Sequence, residues 1–286
     1  MNSKSQTSAA SVASPTSPGP VLITGASSGI GRSLARHYAR AGRPLVLVAR
    51  NADRLQETAA ELVALTQQAP VVTLSCDVSD AASVQEKMGE CVQTCGVPDL
   101  VINAAGIVNV GRFVDMTPDY YDRNVRVDLD GTVNVCRFFA PLMIERRSGH
   151  IVNVSSAAGF LGIYGYTGYS AAKFAVMGFS EALRFELRPH GVSVSVVCPP
   201  DTETPGLAAE RAERPPETEV IAGNIKALDP DVVAAKIVKG IARKRFYIII
   251  GATTKFYFRL KGLLPEIFLA IVDSDVARAG KQRSTT

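Results

Sequence analysis

The chain has 286 residues, of which 47% are hydrophobic and 20% charged, proportions ordinary for a soluble globule with a sizeable core. Five cysteines at Cys76, Cys91, Cys95, Cys136 and Cys198, with only three histidines, have no spacing that suggests a disulfide framework or a metal site; free thiols in a reducing compartment are expected. The net charge of +4 is uneven: from Ile241 onward nine Lys/Arg face three Asp/Glu, so that segment carries +6 and the first 240 residues carry −2. A basic end of this kind suits an anionic surface.

Residues 1–18 are rich in Ser, Ala, Thr and Pro, without the apolar periodicity of a folded element or the apolar stretch of a signal peptide; a disordered leader is expected. From residue 19 onward short apolar runs alternate with helical patterns, which predicts a single α/β domain over 19–250, a doubly wound parallel sheet of about seven strands. The predicted strands are Val21–Thr24, Leu45–Ala49, Val71–Cys76, Leu100–Asn103, Ile151–Ser155, Val192–Val197 and Phe246–Ile250. Helices are predicted at Ile30–Ala41, Asp53–Leu65 and Ala171–Leu187, among others. The strand runs are nearly continuous in Val, Ile and Leu, as burial on both sheet faces requires.

The first strand runs into Gly25-Ala26-Ser27-Ser28-Gly29-Ile30-Gly31 and then an amphipathic helix. Glycines here permit a tight turn and bring backbone N–H groups close to a pyrophosphate, so Gly25, Ser27, Ser28, Gly29, Ile30 and Gly31 are candidate dinucleotide contacts. The second strand ends in Ala49-Arg50, with no carboxylate to hold a ribose 2′-hydroxyl. Arg50 and Arg54 can instead pair with a 2′-phosphate, which points to NADPH (NADP+) as cofactor. Asp77 and Val78 follow the third strand, where Asp77 can accept from an adenine amino group. Asn103, Ala104 and Gly106 sit at the end of the fourth, where small residues let the backbone approach a ribose.

Tyr169 and Lys173 are spaced i, i+4 at the start of a helix and can share a face. A phenol ordinarily titrates near about 10. A neighbouring ammonium and a cationic nicotinamide would lower that value and let Tyr169 exchange a proton. Lys173 can also bond ribose hydroxyls and help return the proton to Tyr169. Ser156, thirteen residues before Tyr169, can hold a carbonyl oxygen beside the phenol, with Ser155 as the neighbouring candidate. Tyr164 and Tyr166 lie close by, but neither has a lysine four residues later.

In this order, the glycine turn, Asn103-Ala104-Ala105-Gly106, Ser156 and the Tyr169/Lys173 pair resemble the short-chain dehydrogenase/reductase family over Pro20 to Gly206. The resemblance implies a Rossmann-type fold, a nicotinamide cofactor and hydride transfer between carbonyl and alcohol. One departure stands out. Where the family has asparagine in an N-x-x-G pattern, this chain reads Asp128-Leu129-Asp130-Gly131, and the family residue's carbonyl helps hold a relay water. A carboxylate buried at Asp128 needs a partner or a proton. The segment Pro199-Pro200-Asp201-Thr202-Glu203-Thr204-Pro205-Gly206, with Gly159–Tyr169 and Pro216-Glu217-Thr218, is similar to the subgroup of 3-ketodihydrosphingosine reductases. That likeness implies NADPH-dependent reduction of a long-chain lipophilic ketone, a lid near 200–228, Pro199 and Thr202 beside the nicotinamide, and Thr204 on the diphosphate side.

In the extension 251–286, Phe256–Lys261 and Leu263–Val272 mix large apolar side chains with cations. Pro265 and Glu266 interrupt the apolar run, which falls short of the roughly 20 residues that span a bilayer. Two uses are open: peripheral contact with the cytoplasmic face of a membrane, or a homo-oligomer surface. Nucleic acid is not expected, because the basic residues alternate with strongly apolar ones.

Overall fold

The computed structural model describes residues 19–66, 69–215, 217–218 and 227–283, and side chains as far as residue 278. The expected leader, residues 1–18, and part of the expected lid, Pro216 and residues 219–226, lie outside the described residues.

Seven parallel strands form one sheet in the order β3-β2-β1-β4-β5-β6-β7. They are β1 (Val21–Thr24), β2 (Leu45–Ala49), β3 (Val71–Ser75), β4 (Leu100–Asn103), β5 (Gly149–Val154), β6 (Val192–Cys198) and β7 (Tyr247–Ile249). All seven predicted strands are present: β1, β2 and β4 have the predicted ends, and the other four differ by one or two residues at one or both ends. The helices are α1 (Gly29–Arg40), α2 (Ala52–Val63), α3 (Ala81–Cys95), α4 (Pro118–Asn124), α5 (Gly131–Glu145), α6 (Thr167–Leu187), α7 (Pro205–Glu213), α8 (Pro230–Ala242), α9 (Ala252–Leu263) and α10 (Pro265–Arg283). A π-helical stretch, Val125–Asp130, joins α4 to α5.

Alternation along each strand sends side chains to two cores. Val21, Ile23, Leu45 and Leu47 pack with Leu34 of α1, Leu55 and Leu62 of α2 and Ile237 of α8. On the other face Leu22, Val46 and Val101 meet Met88 of α3, Phe139 and Met143 of α5 and Leu187 of α6. Each such side chain contributes about 1.5–3 kcal/mol by burial. This two-sided covering explains why the strands read as unbroken apolar runs.

The chain winds from β1 outward to β3 and then returns to the other side of β1 at β4. At that reversal the loops leaving β1 and β4 diverge and open a crevice at the carboxyl ends of the strands. The Thr24 hydroxyl spans its base by accepting from the N–H groups of Ala104 and Ala105, each at 3.1 Å. Helix α6 begins at Thr167, four residues before its predicted start, because the loop-like Thr167 and Gly168 occupy first-turn positions whose N–H groups need no intrahelical partner.

Candidate active site

The crevice is a cleft of about 410 Å³ lined from almost every strand end. Gly25 turns the chain out of β1 with φ +67°, and a Cβ there would lie 2.7 Å from the Ala104 carbonyl oxygen. A Cβ on Gly31 would lie 2.3 Å from the Gly25 carbonyl oxygen, so the helix can approach the strand only without a side chain. The N-cap Ser28 makes no side-chain capping bond and the first turn of α1 has no acidic residue. The helix dipole and free N–H groups therefore face the cleft unanswered, as an anionic diphosphate requires. This cradle fits a dinucleotide.

Gly25, Ser27, Ser28, Gly29, Ile30 and Gly31 line one end with Arg50, Arg54, Asp77, Val78, Ala104 and Gly106. Arg50 and Arg54 are exposed at the rim, and neither forms an ion pair among the described residues. Their loop is held by Asn51, whose side chain caps α2 by accepting the Arg54 N–H at 2.9 Å. One Asp77 oxygen is occupied by the Ser79 hydroxyl and N–H, at 2.7 and 3.0 Å. Pro199, Thr202 and Thr204 lie across the cleft, where Thr204 caps α7 and the Thr202 hydroxyl donates to the Pro200 carbonyl at 2.9 Å. Asn103 departs from the expected set. Its amide is buried and donates to Asn153 Oδ1 at 2.9 Å and to Cys136 Sγ at 3.3 Å, so the side chain belongs to the core behind the cleft.

Ser156, Tyr169 and Lys173 line the cleft together, with Ser156 and Lys173 both beside Tyr169. Ser155 does not compete with Ser156: it is buried and donates to the Lys173 carbonyl at 2.9 Å, pinning β5 to α6. The Lys173 ammonium is buried, donates to the Val154 carbonyl at 3.2 Å, and lies 5.6 Å from the centre of the Tyr169 ring. Its counter-charge is Asp128, wholly buried, with Oδ2 3.6 Å from Nζ. Asp128 Oδ1 accepts the Ile107 N–H at 2.8 Å, while Oδ2 has no hydrogen-bond donor among the described residues. Burial outweighs the pull of Lys173 and lifts the Asp128 carboxyl to about 6. Gly106 is required beside this pair, since a Cβ there would lie 2.9 Å from Asp128 Oδ1 and 3.3 Å from Lys173 Nζ.

These contacts correct the expectation of an acidified phenol. In the protein itself Tyr169 titrates above the usual phenol range, first because of burial and then because of the Asp128 charge, with the hydrogen bond to Ser156 pulling the other way. Lys173 is turned toward Asp128, and its field at the phenol is correspondingly offset. A phenol held in its protonated form is suited to give a proton rather than to take one.

A second group of residues was not anticipated. The Tyr166 hydroxyl donates to Glu210, Arg214 joins Glu210 to Asp201, and the Tyr166 and Tyr169 rings lie 6.0 Å apart. The i, i+4 spacing of Glu210 and Arg214 is visible in the sequence, but their burial beside Tyr166, 44 residues away, is not.

The short chain dehydrogenase family model matches residues 20–215 of this chain. The chain belongs to that family. It is an NAD(P)-dependent oxidoreductase acting on CH–OH groups, on a Rossmann-type fold. A 3-ketodihydrosphingosine reductase from Bos taurus is 38% identical over 81% of this chain and 71% of its own length. Among solved structures, a short-chain dehydrogenase from Sphingobium yanoikuyae in complex with NADPH superposes with a TM-score of 0.73 at 28% identity, covering 87% of this chain and 96% of that one. One from Burkholderia phymatum in complex with NAD gives 0.75 at 30% identity, covering 86% and 95%.

Within this dehydrogenase, Asp128 is a local rewiring of the expected asparagine. Its backbone carbonyl lies in the π-helical stretch, where widened turns often mark functional positions, and accepts the Thr132 hydroxyl at 2.7 Å. The carboxylate meanwhile supplies the partner that a buried ammonium needs.

Proposed function

We propose that this short-chain dehydrogenase reduces the ketone of a long-chain sphingoid base, 3-ketodihydrosphingosine, to the secondary alcohol with NADPH. The observation that carries the reading is the meeting of Ser156, Tyr169 and Lys173 in one cleft beneath the Pro199–Thr204 loop, in a chain whose relatives include enzymes named for that ketone. Arg50 and Arg54, exposed where an NAD enzyme would present a carboxylate, support NADPH over NADH. The glycine turn and the α1 N-terminus would hold the diphosphate, Asp77 and Val78 the adenine, Ala104 and Gly106 the ribose, and Pro199, Thr202 and Thr204 the opposite wall. When bound, NADPH supplies the hydride.

The protein's own contribution is placement and a proton. Ser156 and Tyr169 donate to the ketone oxygen, which orients the carbonyl and draws electron density from its carbon. The Tyr169 O–H bond breaks toward that oxygen as the carbon is reduced, leaving a phenolate and a neutral alcohol. Lys173 would hold the ribose and steady the phenolate until solvent returns the proton, and Asp128 keeps the ammonium in its pocket. Held above the usual phenol range, the Tyr169 hydroxyl is in the form that gives a proton to the ketone oxygen.

We read residues 19–250 as the catalytic unit and 251–286 as an extension that meets the cytoplasmic face of a membrane. Two features support this. A cleft of about 640 Å³ is lined by Lys236, Lys239, Arg243, Arg245, Lys255 and Arg259, none ion-paired among the described residues. On α9, α10 and the residue that joins them, Phe256, Leu263, Leu264 and Ile267 are 59%, 78%, 50% and 52% exposed. Cations beside exposed apolar side chains suit an anionic interface. No helix among the described residues is long and apolar enough to cross a membrane. Lys261 donates to the Phe160 carbonyl at 2.7 Å and Phe258 packs edge-on against Phe160 at 5.0 Å, tying this surface to the loop after Ser156.

Cofactor consumption with 3-ketodihydrosphingosine, a short-chain ketone and a steroid ketone, each with NADPH and NADH, tests the reading. The sphingoid ketone with NADPH should give the highest kcat/KM. A higher value for the steroid would contradict the substrate, and NADPH binding without turnover of any ketone would contradict catalysis.

A further inference from the structure

Beyond Tyr169 the cleft ends in a charged cluster that proton transfer does not use. Glu210 Oε1 accepts from the Tyr166 hydroxyl and from Arg214 Nε, the latter at 2.8 Å, and Arg214 also donates to Asp201 Oδ2 at 2.8 Å. Among the described residues of this cluster, two carboxylates and one guanidinium leave one negative charge in excess. Next along the chain, Glu217 is matched by Arg112 at 3.3 Å and does not change that balance.

The bonds to Glu210 all converge on Oε1, and Oε2 accepts from no described residue. Glu210 is nevertheless only 7% exposed, and it lines the same cleft as Ser156 and Tyr169. Among the described residues Glu210 and Asp201 share the single guanidinium of Arg214, so a cation entering the cleft at Glu210 Oε2 would complete the counter-charge. Glu210 and Asp201 line the same cleft as Tyr169, and their charges add to the rise in its pKa.

We infer that Glu210, supported by Asp201, receives the ammonium that the sphingoid ketone carries on the carbon next to its carbonyl. The inference rests on the function proposed above and adds the feature by which the site tells this ketone from others. With the carbonyl oxygen on Ser156 and Tyr169 and the neighbouring ammonium on Glu210 Oε2, two contacts one carbon apart fix which face of the ketone meets the hydride. Tyr166 and Arg214 position Glu210 and occupy its other oxygen. A ketone without the amine leaves the Glu210 charge unmatched, and a site built for a polar partner rejects an analogue that lacks it.

The test compares 3-ketodihydrosphingosine with the 1-hydroxy-3-ketone of the same chain length that lacks the amine, using wild type, Glu210→Gln and Glu210→Asp. Wild type should favour the amine ketone in kcat/KM by about tenfold or more, the range of a hydrogen bond to a charged group. Glu210→Gln should erase the preference by raising KM for the amine ketone alone, and Glu210→Asp should keep part of it. NADPH affinity reports whether each variant is folded; if Glu210→Gln is not, Asp201→Asn must weaken the same preference. An equal loss on both ketones, or an unchanged KM for the amine ketone in Glu210→Gln, overturns the assignment while leaving the proposed function standing. A wild type that reduces the amine-free ketone but not the amine ketone overturns the substrate reading itself.

Discussion

The two clefts of this dehydrogenase handle charge in opposite ways. At the strand ends Lys173 and Asp128 are enclosed 3.6 Å apart, and Arg214 is sealed between Glu210 and Asp201. Between α8, β7 and α9, six cations face solvent with no carboxylate partner among the described residues. A charge out of water persists only beside a partner, which also fixes where it stands. Cations in water cost little and act over a Debye length of roughly 10 Å. The first cleft is organised for geometry and the second for attraction, so damage to the first should appear in KM, kcat and pH profiles, and damage to the second in ionic-strength dependence.

Arg50 and Arg54 test where that boundary runs, because they line the first cleft but are exposed like the cations of the second. Replacing both with Ala should raise KM for NADPH by about a hundredfold, two charged hydrogen bonds' worth, and change KM for NADH by less than about twofold. Steady-state kinetics with both cofactors at two salt concentrations checks this, and an equal effect on NADH would remove the 2′-phosphate contact from the account. Charge reversal at Lys239 and Arg243 comes next. Binding to vesicles containing anionic lipid should weaken about tenfold or more, at about 1 kcal/mol per cation, with kcat on detergent-dispersed ketone unchanged. Unaltered sedimentation with such vesicles, together with a change in oligomeric state, would assign the surface to a second copy of the chain.

The smallest effect belongs to Asp128→Asn. With its carboxyl at about 6, Asp128 is ionised at pH 8 and disfavours the Tyr169 phenolate that alcohol oxidation needs. Removing that charge lowers the Tyr169 pKa, so the alkaline rise of the oxidation rate should move down by about one pH unit, equivalent to about 1.4 kcal/mol. Below about pH 6 wild-type Asp128 is itself neutral, and the two profiles should converge. Profiles that stay parallel across pH 5–10 would show that Asp128 acts only through packing.

What the sequence disclosed follows the range of each interaction. The glycine turn, the strand ends and the Tyr169/Lys173 pair are local patterns, and the fold places them together as those patterns imply. Asn103 misled because a polar residue at a strand end can turn to either side; Asn153 and Cys136, from β5 and α5, draw it into the core. The state of the Tyr169 phenol was beyond reach for the same reason. Lysine at i+4 was legible, but the carboxylate that engages it lies 45 residues earlier on a π-helical turn. Spacing favoured Ser156 over Ser155, and the packing of β5 against α6 gives the reason, since Ser155 is spent on the Lys173 carbonyl. The cluster of Tyr166, Glu210, Arg214 and Asp201 depends on α7 reaching the residue that caps α6, which no short-range pattern announces.

Single-turnover kinetics of Tyr169→Phe with saturating NADPH bears most directly on catalysis. Loss of the proton donor should slow ketone reduction by about a thousandfold, within the usual range for general acid catalysis, while the NADPH Kd stays within about twofold of wild type. A variant that reduces the sphingoid ketone at a rate close to wild type would contradict the assignment of the proton to Tyr169.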